Sequence, residues 1–454
     1  MDIEKFKEKL IEEAKKNDIS SYELYYEYSN NLNISSYNLD IDNYSVSKSF
    51  GISFRGIYKG KLGMASTEIL DDESINLLIK TVMDNALSND STEKEIIFDG
   101  KNQLYHKVNT FNENLASIPS KDRLCLCLKL SEKAQNYNYS SNFKLKAVMA
   151  EVNYTEKEYG IINSEGLNLN YKSNYEASIL EIVLNKGEDT NTDYAYAFYK
   201  NRSDLNEDEL VEKAIKNTID RFDGKTVVSG KYKVVIKNST FALMLRTFWE
   251  VFNGENANKN LSLLKNKLEK VVASRALTLI DNPLLNAMNS KPFDAEGVAT
   301  KEKKIIEKGV LKSFFHNIKS AEESGTFSTG NASKAKYSSS ISVSPTNLYI
   351  EKGYKNFDEI LAYVENGLLI NDLQGTHSGA NVETGDFSLS AKGMLIENGF
   401  LTGAVEQITI SGNFYTLLKN IEEVADDLEF YLPNATGYFG SPSVVIKEIS
   451  VSGE

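Results

Sequence analysis

Histidine and cysteine are scarce in this chain, with three and two among 454 residues. His106, His316 and His377 lie far apart in sequence, and none precedes a Glu. A zincin-type centre needs two imidazoles one helical turn apart, so that both meet one ion, with a neighbouring Glu as base. No segment here carries that pattern. Cys125 and Cys127 are two apart on an expected helix, where their side chains point to nearly opposite faces. They are read as small buried hydrophobes of a reduced, cytoplasmic protein, not as a disulfide or a thiolate site. No run approaches the ~18 apolar residues of a membrane span, and the opening MDIEKFKEKLIEEAKK is a charged amphipathic helix without a signal-peptide pattern. Long basic clusters are also missing. A net charge of −13 and a pI near 5.1 argue against a surface built to neutralise phosphates, and Lys301–Lys304 reads as a solvated face. Two partial motifs fail on inspection. Gly224-Lys225-Thr226 ends like a phosphate loop, but Ile219 stands where its first Gly belongs. Gly375-Thr376-His377-Ser378-Gly379 looks like a nucleophile elbow, but His377 occupies the position that needs Ser.

What the chain does have is length and aromatics. With 454 residues it exceeds one ordinary core, and 25 Tyr and 21 Phe favour strands. Ile3, Phe6, Leu10 and Ala14 form a helical stripe. Period-two alternation follows through Tyr22/Leu24/Tyr26/Tyr28, Leu32/Ile34, Leu39/Ile41 and Phe50/Ile52/Phe54, the signature of an antiparallel meander. Ile75, Leu78, Ile79, Val82 and Ala86 restore the helical period behind Asp71–Glu73, and a second helix is expected from Ser120. Strands are expected at about Leu145–Tyr154, Gly160–Ile162, Leu167–Tyr171 and Ala177–Leu184, with a helix near Glu207–Phe222. The fold class is therefore α+β: an N-terminal α/β region with an antiparallel sheet and flanking helices, followed by a β-rich C-terminal domain. The boundary falls at Asp223–Lys231, giving domains 1–222 (with subregions 1–90 and 115–222) and 231–454. Later helices are expected near Asp358–Glu365 and Tyr415–Val424.

The most informative stretch is Gly375–Gly393, GTHSGANVETGDFSLSAKG. Dense Gly, Thr, Ser and Asp in a β-like setting means a backbone shaped for close approach. Thr376, His377, Ser378, Gly379, Thr384, Gly385, Asp386, Phe387 and Ser388 are the candidate substrate-binding residues, with an extended peptide added along exposed backbone. For His377 a structural hydrogen bond is the competing reading, and for Asp386 a turn or cap. Phe248, Trp249 and Phe252 share one expected helix from about Thr240. They read either as core or as anchors facing a partner.

Several segments together resemble the TldD/PmbA (TldE) family. They are VVASRALTLIDNPLL (271–285), PFDAEGVATKEKKIIEKGVL (292–311), STGNAS (328–333), the block 377–399, ISGNFYTLLKNIEEVADDLEF (410–430) and the Asn163–Gly166 turn. The resemblance implies a cytoplasmic heterodimeric zinc metallopeptidase that degrades unstructured peptides, or matures peptides in some systems. In its metal-bearing TldD-type subunit, an HExxxH helix and a C-terminal Cys bind the zinc. By register that helix falls at Leu245–Glu250, here LRTFWE, and the Cys falls near Thr436–Gly440, here TGYFG. The terminal GSPSVVIKEISVSG looks like the TldE/PmbA type. The resemblance therefore implies a TldE/PmbA-type chain with no zinc ligands and no catalytic residue of its own, zinc being expected on a TldD-type partner. Partners implied are that subunit, a second copy when alone, and a peptide substrate, with neither membrane nor nucleic acid. Two alternatives stay open: a non-enzymatic regulatory protein acting on gyrase or a toxin system, and a stand-alone peptidase with a divergent metal site.

Overall fold

The computed structural model describes residues 1–90, 96–431 and 437–454. It divides into two units. The first comprises Met1–Ile219 with the later segments Lys291–Ala299 and Ala332–Ser342. The second comprises Asp220–Ser290, Thr300–Asn331 and Val343–Glu454. Two short pieces of the second half of the chain thus pack with the first unit.

The first unit is built on one antiparallel sheet of six strands: β1 Ser21–Tyr37, β2 Asp40–Tyr58, β3 Lys61–Thr67, β4 Lys144–Asn163, β5 Asn168–Lys186 and β6 Asp189–Tyr199, in the order β3-β2-β1-β4-β5-β6. The strands are longer than the alternation predicts. The pairs of runs expected at 145–162 and 167–184 are single strands, because the polar residues between them pair across the ladder, as Lys157 does with Ser173. Asn38 and Leu39 both take positive φ, as do Lys59 and Gly60, so two-residue turns matched to strand twist close these hairpins. Helices α1 (Ile3–Lys16) and α2 (Asp72–Ser88) are capped by Asp2 and Asp71. Phe6, Leu10 and Ala14 of α1 and Ile75, Leu78, Ile79 and Val82 of α2 close over Leu24, Ile52 and Phe54 of the sheet. The polar stretch expected from Ser88 to Asn114 includes residues 91–95, which lie outside the described residues.

The two late segments complete this unit through one carboxylate. Asp294 Oδ1 accepts the N–H groups of Glu296 (2.9 Å) and Val298 (3.0 Å), while Oδ2 accepts that of Ala332 (2.9 Å). Burial pushes its pKa up to about 6 against these donors. Phe293 meets the Tyr171 ring edge-on at 5.1 Å. Lys334 donates to Ser53 Oγ (2.8 Å) and the Tyr337 carbonyl (2.9 Å).

In the second unit, β7 (Gly230–Ile236) lies between strands Gly367–Gln374 and Val444–Ser452. Asp386–Glu397 and Phe400–Asn413 extend the sheet on one side and Ile421–Val424 on the other. Phe400–Asn413 also pairs with Val444–Ser452, Ile410 opposite Val451, so five strands close on themselves and lose their edges. A second sheet contains Leu279–Asp281, Lys303–Glu307 and Asn347–Ile350. Its hub is the fully buried Asp281, which pairs with Lys303 (2.9 Å) and accepts from Asn331 Nδ2 (3.0 Å) and the Thr346 N–H (2.8 Å). The helix expected at 415–424 is a short helix, Phe414–Lys419, followed by the strand Ile421–Val424. Asn420 ends the helix, and pairing of Ile421 with Ile446 decides the next residues over local periodicity. Helix Phe357–Val364 lies where expected.

Candidate functional site

The second unit holds a cleft of about 820 Å³. One wall is the loop preceding strand Asp386–Glu397, contributing Ser378–Glu383 and Asp386–Ser388. Glu250, Asn256 and Leu261 supply the rest of the lining. Glu250 is brought there by the helix Asn238–Phe248, which tightens into a 3₁₀ turn over Trp249–Phe252. Asn256 follows on the next helical turn, capped by Asn253, and its amide donates to the Glu250 carbonyl (3.2 Å) and carboxylate (3.4 Å).

The loop is held largely by its own backbone, with Asn413 and Phe414 bonded to its far end. Gly375 and Gly385 take φ of +80° and +81°, a region costly for any side-chain-bearing residue. The N–H groups of Ser378 and Gly379 donate to the Gly375 carbonyl, Asn381 N–H to Asp386, Gly385 N–H to Asn381 and Ser388 N–H to Gly379. Asn381 Oδ1 accepts from Glu383 and Thr384 N–H, both at 3.0 Å. The N–H groups of Ser378, Gly379, Asn381, Glu383, Thr384, Gly385 and Ser388 are thus engaged inside the loop. These internal bonds leave fewer backbone groups for the added peptide strand that the composition of the segment suggests. Asp386 is both turn residue and wall. Its Oδ1 accepts from Asn413 Nδ2 at 2.9 Å, and hydrogen bonds from Asn413 and Thr384 hold its carboxyl below the usual range. Phe387 points inward, its ring 6.2 Å from that of Phe248, which stacks on Phe414 at 4.6 Å.

Of the nine candidate binding residues, Ser378, Gly379, Asp386, Phe387 and Ser388 line the cleft. Thr376, His377, Thr384 and Gly385 belong to the same turn but are not among the lining residues, and His377 is exposed. The reading of Phe248, Trp249 and Phe252 as partner-facing anchors is corrected. They are 0%, 6% and 0% exposed in this chain, in a core shared with Phe387 and Phe414, so they are unavailable to a partner. Glu250, Asn256, Leu261 and the Ala380–Glu383 run were missed. Only Ala380–Glu383 carried a signal, through their place in the Gly-rich segment. Convergence of Glu250 with that loop comes from tertiary packing.

Among the described residues, the zinc implied for metal-bearing relatives meets no matching donor set. At Leu245–Glu250 the only side chain able to ligate is Glu250, and Leu245 and Phe248 are buried in the core. His316 is buried and engages Ser320 Oγ at 3.2 Å; burial lowers its pKa. Among the described residues no three His, Cys, Asp or Glu side chains converge as a metal site. Of TGYFG, Thr436 lies outside the described residues, and Tyr438 and Phe439 are strand residues. No described helix is long and apolar enough to cross a membrane.

Residues 229–453 match the model of the PmbA/TldA metallopeptidase C-terminal domain, and residues 22–86 match that of its domain 1. The chain is 28% identical over 303 residues to the metalloprotease PmbA of Escherichia coli O157:H7, covering 66% of this chain and 63% of that protein. It is 27% identical to a Methanocaldococcus jannaschii protein over 90% of each chain. The matched stretch spans 62% of the length of a Buchnera aphidicola PmbA homologue. Among solved structures, a Thermotoga maritima protein named a candidate modulator of a DNA gyrase superposes with a TM-score of 0.87 at 30% identity, covering 99% of this chain and 100% of that one. TldE from Thermococcus kodakarensis shares the fold, with a TM-score of 0.87 at 23% identity over 99% and 100% of the two chains. On these matches, the chain belongs to the PmbA/TldD family.

Proposed function

We propose that this chain is the TldE/PmbA-type subunit of a cytoplasmic zinc metallopeptidase complex that degrades or matures peptides. It holds substrate, and a TldD-type partner carries the metal. The observation that carries this reading is the helix at the family's ligand register. Leu245 and Phe248 are packed into the core, so that helix serves stability, while Glu250 one turn later opens on a cleft large enough for several residues of an extended peptide. In this reading the chain's contribution is positional. The cleft binds and orients peptide and excludes water, and no proton transfer is assigned to it. When bound, a zinc ion would supply Lewis-acid activation of water, and that chemistry belongs to the partner.

Relatives named as gyrase modulators give a second, non-enzymatic reading. The net charge of −13 directs it toward a protein partner rather than DNA. Pull-down with a TldD-type chain, light scattering and elemental analysis after dialysis separate these readings. The proposal expects an oligomer with the TldD-type chain and no stoichiometric zinc on this chain. A monomer that ignores such a chain, or zinc retained through His316 or His377, overturns it.

A further inference from the structure

We infer that the cleft selects cationic peptide segments, seating lysine or arginine side chains, or a free α-ammonium end, against its wall. This rests on reading the cleft as a peptide site. Glu250, Glu383 and Asp386 line it, and none of its described lining residues is Lys, Arg or His. An open cleft that carries three carboxylates and no cation among its described lining residues favours positive charge where a ligand would lie.

The remaining lining chemistry points the same way. A peptide carboxylate, or an acidic side chain, would need donors. The N–H groups of Gly379, Asn381 and Ser388 are bonded within the loop, and the Asn256 amide is turned to Glu250. Carboxylates, by contrast, accept without rearrangement. Leu261, Ala380, Val382 and Phe387 supply the apolar surface along which the methylene stem of Lys or Arg lies while its head reaches a carboxylate. Asp386 stays oriented because hydrogen bonds from Asn413 and Thr384 hold its carboxylate, whose remaining lone pairs can accept from a ligand.

Fluorescence anisotropy of the full chain, with an extended Lys/Ala peptide and a Glu/Ala counterpart of equal length, tests this. The Lys/Ala peptide should bind more tightly and weaken as salt rises. Each of Glu250→Gln, Glu383→Gln and Asp386→Asn should weaken it by about two- to fivefold. The Glu250→Gln/Glu383→Gln pair leaves every backbone bond of the loop in place, so its effect reads charge rather than folding. Because the whole chain is acidic, Glu8→Gln/Glu73→Gln/Asp84→Asn, exposed carboxylates of the other unit, serves as the matched control and should change little. Equal binding of both peptides would overturn the cationic preference while leaving the cleft as a peptide site. Binding of neither would remove the peptide reading with it. A Lys/Ala affinity lowered as much by the control as by the cleft variants would also overturn the inference.

Discussion

Replacing Gly385 tests whether the loop's shape, rather than its mere presence, builds the cleft. Gly385 has φ +81°, and a Cβ placed on it would lie 2.6 Å from Cδ2 and 2.8 Å from Cε2 of Tyr415. Left-handed backbone costs a side-chain-bearing residue roughly 1–2 kcal/mol. Forcing a ring aside in a packed site adds roughly 1–3 kcal/mol. Tyr415 cannot yield freely, because its hydroxyl accepts the Leu263 N–H at 3.3 Å and its body packs on the core. Gly385→Ala should therefore destabilise the second unit by roughly 2–5 kcal/mol. Gly385→Val should cost on the order of 1 kcal/mol more, since its branched Cβ has fewer rotamers. Trp249, the chain's single tryptophan, is buried in that unit's core and reports its urea unfolding without a label. Gly403 provides the control: it lies in the strand Phe400–Asn413, its φ is not positive, and nothing lies within 4 Å of its would-be Cβ. Gly403→Ala should be neutral, or stabilising by roughly 0.4–1 kcal/mol. A Gly385→Ala protein within about 0.5 kcal/mol of wild type, with cleft binding intact, would mean that the turn relaxes and refute the reasoning.

Asp281→Ala should cost roughly 3–5 kcal/mol in the same unfolding assay, because it strands the buried Lys303 ammonium together with the Asn331 and Thr346 donors. An unchanged unfolding midpoint would show that the network is dispensable. Burial lowers the Lys334 pKa from 10.5 to about 8, with Arg55 adding to the effect. The folded state thus binds fewer protons than the unfolded state between those values, and stability should rise with pH across that window. Relative to Lys334→Met, wild type should gain roughly 1–3 kcal/mol from pH 8 to 10.5, measured by thermal melts, with partial exposure setting the lower figure. A constant difference would contradict the shift. His377→Ala should lower turnover of an assembled pair only moderately, since His377 is exposed and not among the cleft's lining residues.

Much of the first unit was legible because period-two alternation and Asp-capped helical stripes are local signals. Phe6, Leu10, Ile75 and Val82 sit on the faces their spacing predicts. Strand length was not legible, since polar residues such as Lys157 end an apolar run without ending a ladder. The Ile421–Val424 strand was hidden for a related reason: its partner Ile446 is distant in sequence. In the second unit the Gly-rich loop was recognisable from composition, yet its hydrogen bonding was not. Asn381 and Asp386 consume the backbone groups that composition alone leaves free. The conspicuous segments around Asp281, Asp294 and Asn331 build buried hydrogen-bond hubs, not the cleft. Glu250 carried no sequence signal, because only packing of its helix sets it beside the loop.

If this chain serves a peptidase, as proposed, it does so by holding substrate while another subunit supplies the metal. Peptide turnover measured on this chain, on a TldD-type chain and on the co-expressed pair, each with zinc present, tests it most directly. The expected result is no turnover by this chain alone, and turnover by the pair that falls when Glu250 and Glu383 are neutralised. Zinc-dependent hydrolysis by this chain alone, or a pair whose activity is indifferent to the cleft, would contradict it.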